Sequence, residues 1–314
     1  MGYIACALAL LDAVRALTSF TPPTALPAPG ADLDLLADVL VAHGLAPLAS
    51  YQVEHTRLGY GLPASFREKL LGYYQGVVND TVMKLVTLRG ALKLAGEVPV
   101  VLLDAAAYVD WLYPHAAWRP VGDVRFALRA EDGARFAAAV KPALTLDRTE
   151  HGGRVAVFTD GKIALSAQEG LWSGGPADAP LFERARSYRA FGPLAARPSP
   201  EDAVLSTVAE QAQLGLFAPL ITFVDLRELV GEPLDAAYVK ARASALGLSR
   251  ALHGAMALLA HFYPEVAEPA AALSPELGFA ERVAVDRVVD AGRDPAKLRH
   301  LRGVDAAARA VVAP

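Results

Sequence analysis

The chain has 314 residues, 54% of them hydrophobic and 20% charged, with a formal net charge of −4 and a pI near 6.0. A chain of this size and apolar content buries a large core without disulfide or metal staples, which excludes a disordered protein. The mild acidity excludes a whole-molecule field that would draw in nucleic acid without regard to sequence. Cys6 is the single cysteine, so no intramolecular disulfide can form and a thiolate metal centre is not expected.

The apolar opening, Met1 to Leu11, lacks a basic leader, and Asp12 and Arg15 interrupt it. It reads as a buried first helix and not as a signal peptide. No stretch approaches the roughly 20 apolar residues that span a bilayer, so a cytoplasmic chain free of membrane is expected. Residues 21–30, rich in proline, break the helical pattern. Leu33, Leu35, Leu36, Val39 and Leu40 then recur at helical spacing, with Asp32 or Asp34 as N-cap and Gly44 as stop. A long helix is expected from about Pro63 to Ala95, with Phe66, Leu70, Tyr73, Tyr74, Leu85 and Leu88 on one broad core-facing side.

The pattern changes at residue 97. Val98 to Leu103 is a continuous apolar run of strand length, as expected of a strand covered on both faces. A short helix from Ala105 to Tyr113 follows. Val121 to Leu128 alternates Val124, Phe126 and Leu128 with Asp123, Arg125 and Ala127, a strand with two different faces. Asp132 to Val140 reads as a helix. Leu144–Leu146, Val155–Phe158 and Ile163–Leu165 read as three strands, joined by turn chemistry at His151-Gly152-Gly153 and Asp160-Gly161-Lys162. Trp111, Trp118 and Trp172 are expected to pack around this sheet.

After loop-like segments at 173–176 and 197–200, Ser199 or Ser206 is suited to open a helix, and the rest is helical by pattern. The basic segment Lys297 to Arg302 is read as a solvated helix face. The whole predicts an α+β protein: a mixed β-sheet core over 97–190, between an N-terminal helical region over 1–96 and a C-terminal one over 191–314. The seven histidines show no metal-ligand spacing, and P-loop, Rossmann and nucleophile-elbow patterns are absent.

Leu102-Leu103-Asp104-Ala105-Ala106, Leu112-Tyr113-Pro114, Arg119-Pro120 and Gly122-Asp123-Val124-Arg125 occur in an order that resembles the uncharacterised nucleotidyltransferase family. That family has Leu-Leu-Lys-Gly-Ala, Leu-Tyr-Pro, Arg-Pro and Gly-Asp-hydrophobic-Asp in these places. His43-Gly44-Leu45-Ala46-Pro47-Leu48 and Val224-Asp225-Leu226 resemble its flanking motifs. The resemblance implies a nucleotidyltransferase-like fold with helical flanks. It also implies attack on the α-phosphate of a nucleoside triphosphate, aided by two magnesium ions on carboxylates.

Against that pattern Asp123 is kept, but its partner at i+2 is Arg125, the Lys-Gly turn is Asp104-Ala105, and Ile163 to Ala167 offers no third carboxylate. The candidate site residues are Asp123 and Asp104 for catalysis, and Ala105, Arg119 and Arg125 around the nucleotide position. Asp123 is also the metal ligand if the site is active. The expectation is a degenerate site without cofactor, in a protein that binds or scaffolds a protein or peptide partner and not a nucleic acid. Asp123 would pair with Arg125 or Arg119 in a structural ion cluster. The alternative is an active enzyme using magnesium and a nucleoside triphosphate, with Asp160 joining Asp104 and Asp123.

Overall fold

The computed structural model describes residues 2–21, 32–294 and 305–313; most of the Pro-rich break and the basic segment 297–302 lie outside them. The chain divides into two compact units. One comprises Met1–Val78, Ala117–Arg119 and Thr207–Pro314, the other Asn79–Ala116 and Pro120–Ser206. No helix among the described residues is long and apolar enough to cross a membrane.

In chain order the first unit opens with α1 (Gly2–Thr18), α2 (Leu33–Ala42), α3 (Ala46–His55) and the start of α4 (Ala64–Ala95). The second adds the rest of α4, then β1 (Val100–Leu102), α5 (Asp104–Tyr108), β2 (Val124–Ala127), α6 (Gly133–Val140), β3 (Thr145–Glu150) and β4 (Val155–Thr159). It continues with β5 (Ala164–Gln168), α7 (Ala179–Arg184), β6 (Arg186–Ser187), β7 (Ala195–Arg197) and the start of α8 (Pro200–Gln213). The first unit resumes through α9 (Leu220–Val230), α10 (Ala236–Ala245), α11 (Ser249–Phe262), α12 (Ala267–Leu273), α13 (Phe279–Gly292) and α14 (Asp305–Val312).

Local chemistry accounts for the ends of these elements. The Asp32 carboxylate accepts from the backbone N–H groups of Asp34 and Leu35, capping α2. Gly44, at φ +70°, follows its end, a conformation that costs an L side chain about 1 kcal/mol or more. On α4, Thr81, Leu85, Leu88, Ala91 and Ala95 form one buried stripe. Tyr73 is 37% exposed and Met83 56%, and Tyr74 is half-buried. The expected core role of the two tyrosines therefore fails. The apolar positions of α4 span a wider arc than its neighbours cover, and a tyrosine ring leaves its hydroxyl in water at little cost.

The sheet of the second unit has the order β3-β4-β5-β2-β1-β7-β6. β1 is antiparallel to β2 and parallel to β7, and β2 is parallel to β5. β3, β4 and β5 form the expected antiparallel meander. Its turns take the left-handed backbone at Gly152, Gly153 and Gly161. β3 is an edge strand, exposed along its length, and its charged Asp147, Arg148 and Glu150 with a register shift between Leu146 and Arg148 discourage further pairing. On one face α6 seats Phe136 between Phe126 (ring centroids 5.1 Å) and Phe158 (5.4 Å), all three buried.

Trp118 belongs to the first unit and not to the unit that contains the sheet, and is tilted on Phe20 at 5.5 Å and Tyr51 at 4.6 Å. Its large apolar ring is satisfied by any aromatic cluster, so proximity in sequence to β2 did not decide its place.

Candidate functional site

β1 is buried along its length and is followed by Leu103, whose N–H donates to the Arg125 carbonyl of β2 (3.0 Å). The chain then turns sharply: Asp104 has φ +49°, a left-handed conformation that asparagine and aspartate tolerate better than other side-chain-bearing residues. The turn carries the Asp104 carboxylate into the interior. Oδ2 lies 3.0 Å from Arg125 Nε, and both side chains are nearly buried. The Nε–H is not aligned for a hydrogen bond, so this contact is a charge pair. The Ser206 hydroxyl, on α8, lies 2.8 Å from Asp104 Oδ1 and 2.9 Å from the Leu171 carbonyl, one proton shared between two acceptors. Ala105 is buried as the second residue of α5. Arg125 is registered against Ser166 of β5, where a third carboxylate was sought.

Asp123 is elsewhere. It occupies a bend before β2, is exposed, and precedes the first strand residue, Val124. The expected ion pairs of Asp123 do not form: Arg125 faces Asp104, and Arg119, in the first unit, is held by Asp225. Buried carboxylates need a compensating charge far more than a solvated one does, which is why the arginines go to Asp104 and Asp225. The Arg119–Asp225 contact is bidentate, with Nε 2.9 and 3.1 Å from the two oxygens and Nη2 2.7 Å from Oδ2. Asp160 sits in the β4–β5 turn, where its Oδ1 accepts from the N–H groups of Lys162 and Ile163 at 2.8 Å each. The Ile163 and Lys162 backbone donors hold its carboxyl below the ordinary range.

Two features were not read from the sequence. Ser206 and Thr207 are buried on α8 between apolar Val204, Leu205, Val208 and Ala209; a hydroxyl at a core position was the available signal that Ser206 serves a buried polar group. Ser199, by contrast, opens α8 as expected, its Oγ accepting from the Asp202 N–H (3.2 Å). His43 is buried and its Nδ1 accepts from the Leu220 N–H (3.2 Å), while its carbonyl accepts from the Ile221 N–H (3.2 Å). Both contacts satisfy otherwise orphaned donors at the start of α9.

The site does not fit a magnesium pair as arranged. Asp104 has both oxygens engaged, Asp123 stands apart in solvent, and among the described residues no three His, Cys, Asp or Glu side chains are grouped to hold a metal ion. A mixed sheet between helical segments, entered through a sharp turn after β1, defines a nucleotidyltransferase-like α+β protein. The chain belongs to the uncharacterised nucleotidyltransferase family, whose model matches residues 29–264. No curated protein and no solved structure matches it with significance.

Proposed function

We propose that this chain is a cytoplasmic, non-catalytic member of its family that binds or scaffolds a protein or peptide partner, with a structural ion pair standing at the catalytic position and no cofactor. The observation that carries the reading is the contact of Arg125 Nε with Asp104 Oδ2 at 3.0 Å. An Asp-x-Asp pair works because residues two apart on a strand share a face, so two carboxylates can share one cation. Here the second position carries a guanidinium that is charged at every accessible pH. With Asp104 it makes a pair of no net charge, where two carboxylates would present a net negative charge to draw in a divalent ion.

Calorimetry with ATP, GTP, CTP and UTP in the presence of magnesium tests this. The reading expects no saturable heat. Saturable, magnesium-dependent binding that Asp123→Ala abolishes supports the opposing reading, a nucleotidyltransferase acting from a nucleoside triphosphate on an unidentified acceptor. That second reading draws on the exposed Asp123 carboxylate, which makes no ion pair among the described residues.

A further inference from the structure

On the sheet face opposite Arg125 a cavity of about 270 Å³ opens beneath α6. Its origin is in the side chains. The helix presents Gly133, Ala134 and Ala137, with Ala130 just before it. Across the gap lie Ala156 and Ala167, which pair with each other on β4 and β5. Ala167 in turn pairs with Phe126 on β2, which fixes all of them on the face that Arg125 does not share. Small residues on both sides leave the space between helix and sheet unfilled, and a Cβ built on Gly133 meets no atom within 4 Å. Leu128, Leu146 and Phe158 supply apolar wall, and Leu146 is 54% exposed there.

The polar residues at this cavity are Arg129, Arg154, Gln168 and Glu169. Arg154 donates to the carbonyls of His151 (3.4 Å) and Gly175 (3.1 Å), and the Arg129 guanidinium stacks 5.1 Å over Phe182. Neither arginine has a carboxylate within ion-pair distance among the described residues. Two guanidinium groups against one carboxylate leave a net positive mouth on an apolar recess. We infer that this cavity binds a small amphipathic monocarboxylate, its tail between α6 and the β4–β5 strands and its head group at Arg129 and Arg154. The planar guanidinium fork matches a carboxylate. One net positive charge is balanced by a monocarboxylate, whereas a phosphate monoester would leave an uncompensated negative charge beside Glu169. The volume lies just below the usual range for ligand pockets, roughly 300 Å³ upward, so the ligand is small.

The test is calorimetry on the full chain with octanoate, octanol, octylamine and octyl phosphate. Octanoate is expected to saturate one site and to bind more tightly than the other three. The Arg129→Gln/Arg154→Gln double variant should weaken octanoate about tenfold while leaving octanol unchanged. Ala137→Phe should abolish binding of both by filling the recess. If that variant does not fold, Ala134→Phe, at a more exposed position on the same helix, serves instead. No saturable octanoate binding overturns the proposal, and so does binding unaffected by the filling variant. Octanol binding as tightly as octanoate removes the role of the arginines, and octyl phosphate binding more tightly overturns the monocarboxylate assignment. None of these outcomes depends on whether nucleotides bind the other face.

Discussion

Arg125 meets Asp104 at 3.0 Å, and so joins two separate motifs, one at the end of β1 and one on β2, through a charge pair inside the second unit. The Asp104 carboxylate alone would be a buried, uncompensated ion; with the Arg125 guanidinium and the Ser206 hydroxyl it is tolerated. Removing either charge is therefore expected to destabilise the fold. Asp104→Asn keeps a residue type suited to the left-handed turn and removes only the charge, so it isolates the electrostatic effect. Asp104→Asn and Arg125→Met should each cost about 3 kcal/mol in chemical denaturation. The double variant should cost clearly less than the sum, because it leaves neither ion stranded.

The Arg119–Asp225 pair makes an equivalent prediction for the first unit. With Asp225 buried and both oxygens engaged, Asp225→Asn is expected to cost about 3 kcal/mol. Arg119→Lys preserves charge but loses the bidentate geometry, so it should be destabilising as well and should not rescue Asp225→Asn. Denaturant midpoints of the three variants check this.

Gly44→Ala should destabilise by about 1–2 kcal/mol. Its φ is +70°, and the added Cβ would stand 3.3 Å from Ile221 Cγ2, at the start of α9. The neighbouring His43→Ala is expected to lose more than Gly44→Ala does through the cap alone, since it also opens a buried site and leaves the Leu220 N–H unpaired. A shift in melting temperature reads both.

The sequence revealed elements better than partners. α2, the ends of α4, the all-buried β1 and the two hairpin turns follow from caps, glycines and periodicity, and those signals are local. β6, β7 and α7 did not stand out: Ala195-Ala196-Arg197 has neither alternation nor β-branched residues, and it becomes a strand only because it lies parallel to β1. The site was half legible for the same reason. The residue types at 104, 123 and 125 could be compared with the family pattern, but which arginine takes which carboxylate depends on burial. Asp123, taken as a strand residue, falls one position outside β2 and into solvent.

His261 predicts a pH response in the first unit. Partial burial lowers its pKa, while its Nε2 lies 3.1 Å from the Arg293 carbonyl. The unfolded chain then binds the proton more readily than the folded one. Stability should be full above the ordinary histidine range, about pH 6.5, and fall as pH drops through it and towards the lowered folded value. Melting curves between neutral and mildly acid pH should show this slope, and His261→Asn should flatten it. An unchanged slope in the variant assigns the effect to another group.

The most direct test of the central claim is titration of manganese(II), a spectroscopic substitute for magnesium at oxygen sites, followed by the electron paramagnetic resonance of the free ion. With the wild-type chain, alone and with a non-hydrolysable nucleoside triphosphate analogue, the free-ion signal should match the protein-free control at every step. A stoichiometric loss of that signal caused by the protein, and reversed in Asp123→Ala, would contradict a catalytic position held by Asp104 and Arg125.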